Sequence, residues 1–214
     1  FRYMIISTWN VNSIKVRIHA VIQYLSEYHP DVLVLQETKC LDENFPIDEI
    51  SDAGYYSTFY GQKTYNGVAI ISKKKPDSIE YNPVATLKNE ARSLTVIIDG
   101  ITIVNLYVVN GQDIDTDKYS YKLDWLKKLT SYAKKLLTKS DKVILLGDFN
   151  IAPSDDDVFD TDITKDQILC SPQERSALKK ILNLGFHDCF LDFGFPSQTF
   201  TWWDYRSGAF QRNI

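Results

Sequence analysis

Three apolar runs in this sequence end in polar side chains that are suited to metal or phosphate chemistry. Residues 143–146 lead into Gly147-Asp148-Phe149-Asn150, residues 32–36 lead into Glu37, and a third run ends at Asn10. Short apolar runs of this kind indicate buried strands. Active sites of layered α/β proteins gather at the carboxyl ends of such strands. We therefore expect these polar residues to form one assembled site.

The residue types at these exits favour phosphodiester hydrolysis with a hard metal ion. Glu37 and Asp148 offer carboxylate oxygens, and the sequence has no Cys/His cluster of zinc-ligand spacing. Magnesium, with manganese as the alternative, fits such ligands and uses only one or two carboxylates besides water and substrate phosphate. We expect Glu37 to be the main metal ligand and Asp148 to orient or deprotonate a water. Asn10 and Asn150 suit holding a metal, a water or a phosphoryl oxygen.

Each motif taken singly has a plainer interpretation. Gly-Asp-x-Asn is also a good turn sequence, and an acid at a strand end is often a helix cap or a solvated loop residue. The acidic run Asp155-Asp156-Asp157 could bind a cation, but capping acids in a solvated loop are the favoured interpretation.

Composition narrows the class of protein. The 214 residues have a net charge of −4, so any nucleic-acid binding would depend on a local basic face. Cys40, Cys170 and Cys189 lack metal-like spacing and are expected to be free thiols of a reducing compartment. A cytoplasmic location is therefore expected, with association to the nucleoid if the substrate is DNA. No apolar run approaches the roughly 20 residues that span a membrane. A monomer is the default expectation.

The predicted elements form an α/β chain. Strands are expected at residues 3–10 and 32–36, with a helix between them that begins after Ser13 as N-cap and ends at His29-Pro30. Residues 54–75 predict two strands around the Asn66-Gly67 turn. Residues 93–99 and 101–108 predict a hairpin at Asp99-Gly100.

The second half of the chain predicts two helices around a strand. An amphipathic helix at 118–138 has Leu126, Leu129, Ala133 and Leu136 on one face, and the strand 142–147 follows. The segment Ser171-Pro172-Gln173-Glu174 is a capping box with proline at the first helical position, and this helix should end near Gly185. One domain over residues 1–214 is the expected organisation.

A set of motifs in fixed order identifies a family that the chain resembles. They are Trp9-Asn10-Val11-Asn12, Leu35-Gln36-Glu37-Thr38-Lys39, Gly67-Val68-Ala69-Ile70, Tyr107-x-x-Asn110, Gly147-Asp148-Phe149-Asn150-Ile151-Ala152-Pro153 and Phe200-Thr201-Trp202-Trp203-Asp204-Tyr205-Arg206-Ser207. The chain closely resembles the exonuclease III family of abasic-site endonucleases, within the DNase I-like superfamily. The resemblance implies a four-layered α/β sandwich with two mixed β-sheets packed between helices. It also implies divalent-metal-dependent cleavage of double-stranded DNA 5′ to abasic sites, and 3′-exonuclease or 3′-phosphatase activity at 3′ ends.

Carried over residue by residue, the resemblance assigns roles at the predicted site. Glu37 resembles the family's metal ligand and Asn10 the amide beside it. Asp148 resembles the acid that helps to activate the attacking water, and Asn150 the residue that steadies the transition state. Tyr107 resembles the tyrosine that touches the scissile phosphate; without the neighbouring motifs, an aromatic in an alternating strand would be the default interpretation.

The resemblance also implies residues that contact DNA. Trp202 falls where relatives place an aromatic that lines the abasic-sugar pocket, with a packed core aromatic as the alternative. Lys15 and Arg92 fall where relatives contact backbone phosphate, with solvated surface charges as the alternative. Asn110 is a further phosphate contact of similar standing.

The chain departs from the family pattern at two places. Val108-Val109 stand where relatives have proline or a small residue after the tyrosine, which bears on the local loop shape. The family continues past a tail like residues 206–214 with a Gly-Trp-Arg-Ile/Leu-Asp segment and a later Ser-Asp-His segment that supplies an essential histidine. Neither segment is present, and His19, His29 and His187 are expected to be surface or packing residues. The sequence is therefore expected to be a C-terminally incomplete enzyme.

Two other functions stay open at this point. Inositol-phosphate phosphatases and sphingomyelinases use related chemistry on other phosphodiesters, and Gly-Asp-x-Asn alone does not separate them from nucleases. A non-catalytic nucleic-acid binder is the third possibility, if the missing segment is a natural truncation.

Overall fold

The computed structural model describes residues 3–196, 199–203, 205 and 208. Contacts within the chain define two compact units. The first unit comprises residues 1–108 and 135–149, and the second comprises residues 109–134 and 150–214. The expectation of one domain over the whole chain stays a prediction.

The first sheet of the first unit has four strands in the order β1-β2-β4-β3. The strands are β1 (Ile6–Asn10), β2 (Val32–Gln36), β3 (Tyr56–Tyr60) and β4 (Val68–Ser72). Helix α1 (Ile14–Tyr28) connects the parallel pair β1 and β2, and the other pairs are antiparallel. The predicted strand–helix–strand unit is thereby confirmed, as are the two strands around Asn66-Gly67.

The second sheet also has four strands, in the order β5-β6-β7-β8. They are β5 (Ser78–Tyr81), β6 (Ser93–Ile98), β7 (Ile101–Tyr107) and β8 (Val143–Asp148). The predicted hairpin is the antiparallel pair β6 and β7, whereas β7 and β8 are parallel. Both sheets are mixed, which confirms the α/β class and the two mixed sheets that the sequence predicts.

The packing of strand β2 explains why its first four residues, Val32 to Leu35, are all apolar. Alternate side chains of a strand point to opposite faces. Val32 and Val34 belong to a buried cluster with Leu94 and Val96 of the second sheet, while Leu33 and Leu35 belong to a cluster with residues of α1. A strand that is buried on both faces needs an apolar residue at every position. Helix α2 (Ile47–Asp52) adds its buried Ile50 to the cluster on the α1 side.

One polar side chain joins the two sheets inside this core. Asn105 of β7 is fully buried. Its Nδ2 donates to the carbonyl oxygens of Leu35 and Ala69, each at 2.8 Å, and its Oδ1 accepts from Gln36 Nε2 at 2.8 Å. A buried amide is stable when its donors and acceptors are satisfied. Asn105 therefore fixes β7 against β2 and β4.

The second unit is helical. It contains α4 (Thr161–Thr164), α5 (Pro172–Leu182), α6 (Cys189–Asp192) and most of α3 (Asp117–Leu137).

The capping box of α5 forms as predicted: Ser171 accepts from the Glu174 amide, and Glu174 accepts from the Ser171 amide. Ser13 is the N-cap residue of α1, as predicted, but its side chain makes no capping hydrogen bond. Among the described residues, no helix is long and apolar enough to cross a membrane. The three cysteines are free, as predicted.

Candidate active site

Four of the predicted residues lie at neighbouring strand ends in the first unit. Asn10 ends β1, and Glu37 directly follows β2, with Asn10 opposite Gln36 in the parallel register. Tyr107 and Asp148 end β7 and β8, and they are opposite each other in the second parallel pair. Parallel strands deliver their carboxyl ends to the same sheet edge. Side-chain contacts join Asn10, Glu37 and Asp148, and the roles of these residues stay predictions.

Asn10 connects the two acids. Its Nδ2 donates to Glu37 Oε1 at 2.8 Å and to Asp148 Oδ2 at 2.8 Å. Its Oδ1 accepts from the backbone amide of Asn12 at 3.0 Å, which fixes the orientation of the amide group. One neutral amide therefore holds a carboxylate from each sheet within reach of a common centre. Like charges placed this close favour a bound cation.

The backbone at Glu37 is held in a conformation that L residues seldom adopt. Glu37 has φ 54° and Lys39 has φ 53°, which is the left-handed region. Such strain persists only where the surroundings enforce it. The Lys39 amide donates to Asn66 O at 2.9 Å, and the Glu37 carbonyl accepts from Ser13 N at 2.7 Å. A Cβ on Gly67 would lie 2.1 Å from Thr38 Oγ1, so only glycine permits this packing of the loop.

The charge state of Glu37 follows from its neighbours. Burial raises the pKa of this carboxyl. The opposing interactions outweigh burial: hydrogen bonds from Lys39 and Asn10, the Lys39 charge and a hydrogen bond with Tyr107. The pKa of Glu37 is therefore below its ordinary value. Lys39 Nζ lies 2.8 Å from Glu37 Oε2 and also donates to Asn12 Oδ1. Glu37 is therefore ionised at neutral pH, and the Lys39 ammonium lies beside it.

Tyr107 is a neutral donor at this site. Burial, and next the negative charge of Glu37, raise the pKa of its phenol well above the usual range. The Arg92 guanidinium carbon lies 4.8 Å from the centre of the Tyr107 ring, and Arg92 Nε pairs with Glu90 at 2.6 Å. Arg92 is buried, so the interpretation of Arg92 as a solvated surface charge is wrong. Its contacts show that it supports Tyr107.

The structure brings Asn110 and Asn150 together in the second unit. Asn110 Nδ2 lies 3.4 Å from Asn150 Oδ1, which is a long and weak hydrogen bond. Asn150 is buried and has φ 48°. The fully buried Lys122 of α3 donates to the carbonyl oxygens of both asparagines. Sequence reasoning missed Lys122, although it lies four residues before Leu126 and so continues the apolar face of the predicted helix.

The remaining predicted residues are Lys15, Trp202, the end of the last motif and the three histidines. Lys15 is exposed on α1, and the structure does not place it in the cluster around Glu37. Trp202 is 50% exposed, which does not fit a packed core aromatic. The motif residues Asp204, Arg206 and Ser207, and the tail 209–214, lie outside the described residues. His19, His29 and His187 are all exposed, as expected.

The donors at the Glu37 cluster fit a hard divalent ion. Two carboxylates held by one amide suit magnesium, which keeps most of its waters. The described residues contain no group of three or more His, Cys, Asp or Glu side chains that could hold a metal, so a closed zinc site is not formed there. The Asp157 carboxylate accepts hydrogen bonds from Ser154 N and Ser154 Oγ, and Asp155 pairs with Arg175 at 2.8 Å. These contacts support the interpretation of Asp155-Asp156-Asp157 as a capping loop.

Comparison with known proteins agrees with this fold and cluster, which together are typical of metal-dependent phosphoesterases. Residues 7–214 match the Endonuclease/Exonuclease/phosphatase family. The exodeoxyribonuclease III of Haemophilus influenzae is 30% identical, over 96% of this chain and 82% of the relative. The chain belongs to this family, within its group of exodeoxyribonuclease III and abasic endonuclease relatives. The predicted resemblance is confirmed.

Solved structures of similar proteins support the same grouping. A 3′ phosphatase from Neisseria, bound to a product DNA hairpin, is 37% identical with a TM-score of 0.94, over 99% of this chain and 83% of that one. An abasic endonuclease from Archaeoglobus fulgidus is 38% identical with a TM-score of 0.91, over the same shares of the two chains.

Proposed function

We propose that this chain is a magnesium-dependent DNA-repair nuclease that hydrolyses the phosphodiester 5′ to abasic sites. The observation that supports this proposal most directly is the contact of Asn10 with both Glu37 and Asp148. It places two ionisable oxygens and an amide where a cation and a phosphate could be held together. The exodeoxyribonuclease III and abasic endonuclease relatives supply the substrate class.

Each of the predicted catalytic and metal-binding residues has a proposed role. Glu37, with Asn10 beside it, holds magnesium, or manganese as the alternative; when bound, the ion supplies charge stabilisation at the phosphoryl oxygens. Asp148 accepts the proton of the attacking water. Tyr107, kept neutral by its raised pKa, donates a hydrogen bond to a phosphate oxygen. Asn150 donates to the charge that develops in the transition state.

Double-stranded DNA is the proposed partner. The net charge of −4 gives no long-range attraction to DNA, so local residues must bind the backbone. We assign phosphate contacts to Lys15 and Asn110 and a sugar contact to Trp202. Arg92 is assigned a supporting role at Tyr107 together with its predicted phosphate contact. A monomer and a cytoplasmic location stay predictions.

A second activity at 3′ ends is favoured by one specific comparison. The similar Neisseria structures are a 3′ phosphatase and a 3′-5′ exonuclease. Removal of a 3′-phosphate and cleavage 5′ to an abasic site both hydrolyse a phosphoester bond at a deoxyribose 3′ oxygen and leave a 3′-hydroxyl. The Glu37 and Asp148 cluster can serve both reactions, and the relative rates depend on how the DNA is bound.

The test is a panel of four substrates. Three are duplexes of one sequence: one contains a single stable abasic analogue, one has a 3′-phosphate and one has an undamaged recessed 3′ end. The fourth is an inositol polyphosphate. We expect magnesium-dependent incision of the abasic duplex, none in EDTA, and at least about a hundredfold loss in Asp148→Asn. Hydrolysis of the inositol polyphosphate without cleavage of any DNA would overturn the proposal.

A further inference from the structure

We propose that the buried ion pair of Lys122 and Glu174 is a positioning device that fixes Asn110 and Asn150 for the reaction. This inference rests on the proposed function, in which Asn150 donates to the transition state. Lys122 and Glu174 do not touch the substrate in this scheme. They act through the main chain of the two asparagines, and all four residues belong to the second unit.

Lys122 joins two segments that are far apart in sequence. Its Nζ donates to the carbonyl oxygen of Asn150 at 2.6 Å and to that of Asn110 at 3.0 Å. The same ammonium pairs with Glu174, and both side chains are fully buried. An ammonium has three hydrogens, and these three contacts match that number. The Lys122 ammonium therefore binds both the segment that contains Asn110 and the segment that contains Asn150.

Glu174 is itself held on several sides. Its Oε1 accepts from Leu169 N at 3.1 Å, in addition to the Lys122 contact. Its Oε2 accepts from Ser171 N at 3.1 Å and from Ser171 Oγ at 2.6 Å. A helix cap for α5 needs only the Ser171 contacts. The Lys122 contact goes beyond capping, since it uses the carboxylate to hold a buried cation that has no capping function.

The stem of Lys122 is enclosed as tightly as its head group. Gly111 has φ +94°, and a Cβ there would lie 3.1 Å from Lys122 Cδ and 2.9 Å from Ile168 Cδ1. The chain directly after Asn110 therefore packs against the lysine side chain. A buried ion pair is a poor way to gain stability, because desolvation offsets the attraction between the charges. This ion pair holds two backbone carbonyls at fixed positions, which an apolar pair of side chains cannot do.

The test compares three variants of the full chain. Lys122→Met removes the ammonium, and Lys122→Met/Glu174→Gln also removes the opposite charge, so that no unpaired buried charge threatens folding. Lys127→Met makes the same chemical change at an exposed position of the same helix and serves as the matched control. Thermal unfolding identifies any variant that fails to fold.

The first readout needs no catalysis. Hydrogen exchange is followed at the amides of Gln112 and Ala152, which bond to Asn110 Oδ1 and Leu169 O. We expect at least about tenfold faster exchange in the double variant than in the Lys127→Met control, because both segments lose their common anchor. Equal exchange in the two variants would overturn the proposal, whether or not the protein cleaves DNA.

The second readout is catalytic. We expect the double variant to lose about 30- to 100-fold in kcat on the abasic duplex with KM changed less than about threefold, as displacement of a catalytic group by about 1 Å would do. In an Asn150→Ala background the same substitutions should lower kcat less than about threefold. Equal losses in both backgrounds would show a merely structural pair and overturn the positioning role. A wild type that cleaves no DNA, with faster exchange in the double variant, would instead refute the proposed function and the catalytic half of this inference.

Discussion

Replacing Asn10 by leucine tests how the two carboxylates are held. Leucine keeps most of the side-chain volume but removes both donated hydrogen bonds, to Glu37 Oε1 and Asp148 Oδ2. Hydrogen bonds to charged groups contribute about 1.5–3 kcal/mol each. Glu37 keeps its contacts with Lys39 and Tyr107, and the site is only partly buried, so we expect the loss of about one such bond. A loss of about 2 kcal/mol corresponds to about 30-fold in kcat/KM.

The same substitution should change the pH dependence. The hydrogen bond from Asn10 is one of the interactions that lower the pKa of Glu37, and burial acts in the opposite direction. In Asn10→Leu the burial remains and the bond is lost, so the pKa of Glu37 rises. If ionised Glu37 is required, the acid limb of the rate profile moves to higher pH.

The assay is single-turnover incision of the abasic duplex at saturating magnesium between about pH 4.5 and pH 9. Asn183→Ala, at an exposed position at the end of α5, is the matched control and should leave both the rate and the profile unchanged. A loss of less than about threefold in Asn10→Leu, with the acid limb unmoved, would refute the reasoning.

Three further predictions concern stability, measured by urea unfolding in EDTA. Gly147→Ala should lower the free energy of unfolding by at least about 3 kcal/mol, because its Cβ would lie 2.0 Å from Leu106 O. Gly54→Ala is the control, with φ +84° and no atom within 4 Å of a Cβ, and should cost only about 1 kcal/mol. Equal costs in the two variants would contradict this account. Asn105→Leu should cost about 2–4 kcal/mol through three lost buried hydrogen bonds; a cost below about 1 kcal/mol would show that the amide does not hold the sheets together. The pKa of Glu37 is lower in the folded protein than its ordinary value, so its ionised form stabilises the fold. The free energy of unfolding of the wild type should therefore exceed that of Glu37→Gln above about pH 5, and this difference should shrink at lower pH. A difference that grows on acidification would contradict the lowered pKa.

Local sequence patterns were sufficient to predict the strands that deliver the cluster. Strand β2 is apolar from Val32 to Leu35 because it is buried on both faces, and Glu37 directly follows its last residue, Gln36. The Asp99-Gly100 hairpin and the Ser171 capping box depend on residues a few positions apart. In each case the interaction that determines the structure lies within the pattern itself.

The residues that sequence reasoning missed depend on partners distant in the chain. Asn105 is satisfied by Leu35 and Ala69, and Lys122 by Glu174, so the reason for either polar residue becomes visible only in the folded chain. The sequence leaves two interpretations of Arg92 open, a phosphate contact or a surface charge. It cannot decide between them, because the burial of Arg92 depends on the Tyr107 ring above which it lies. Lys122 had one local signal, since a lysine on an apolar helix face needs a buried partner.

The central claim, that Glu37 belongs to a magnesium site for DNA cleavage, is tested most directly by a magnesium titration of abasic-duplex incision. The titration compares the wild type with Glu37→Gln and with Glu27→Gln, a control at an exposed position of α1. We predict no incision in EDTA, a saturable response to magnesium in the wild type and the control, and at least about a tenfold higher magnesium requirement in Glu37→Gln. Incision that persists in EDTA, or identical magnesium responses in all three proteins, would contradict the claim.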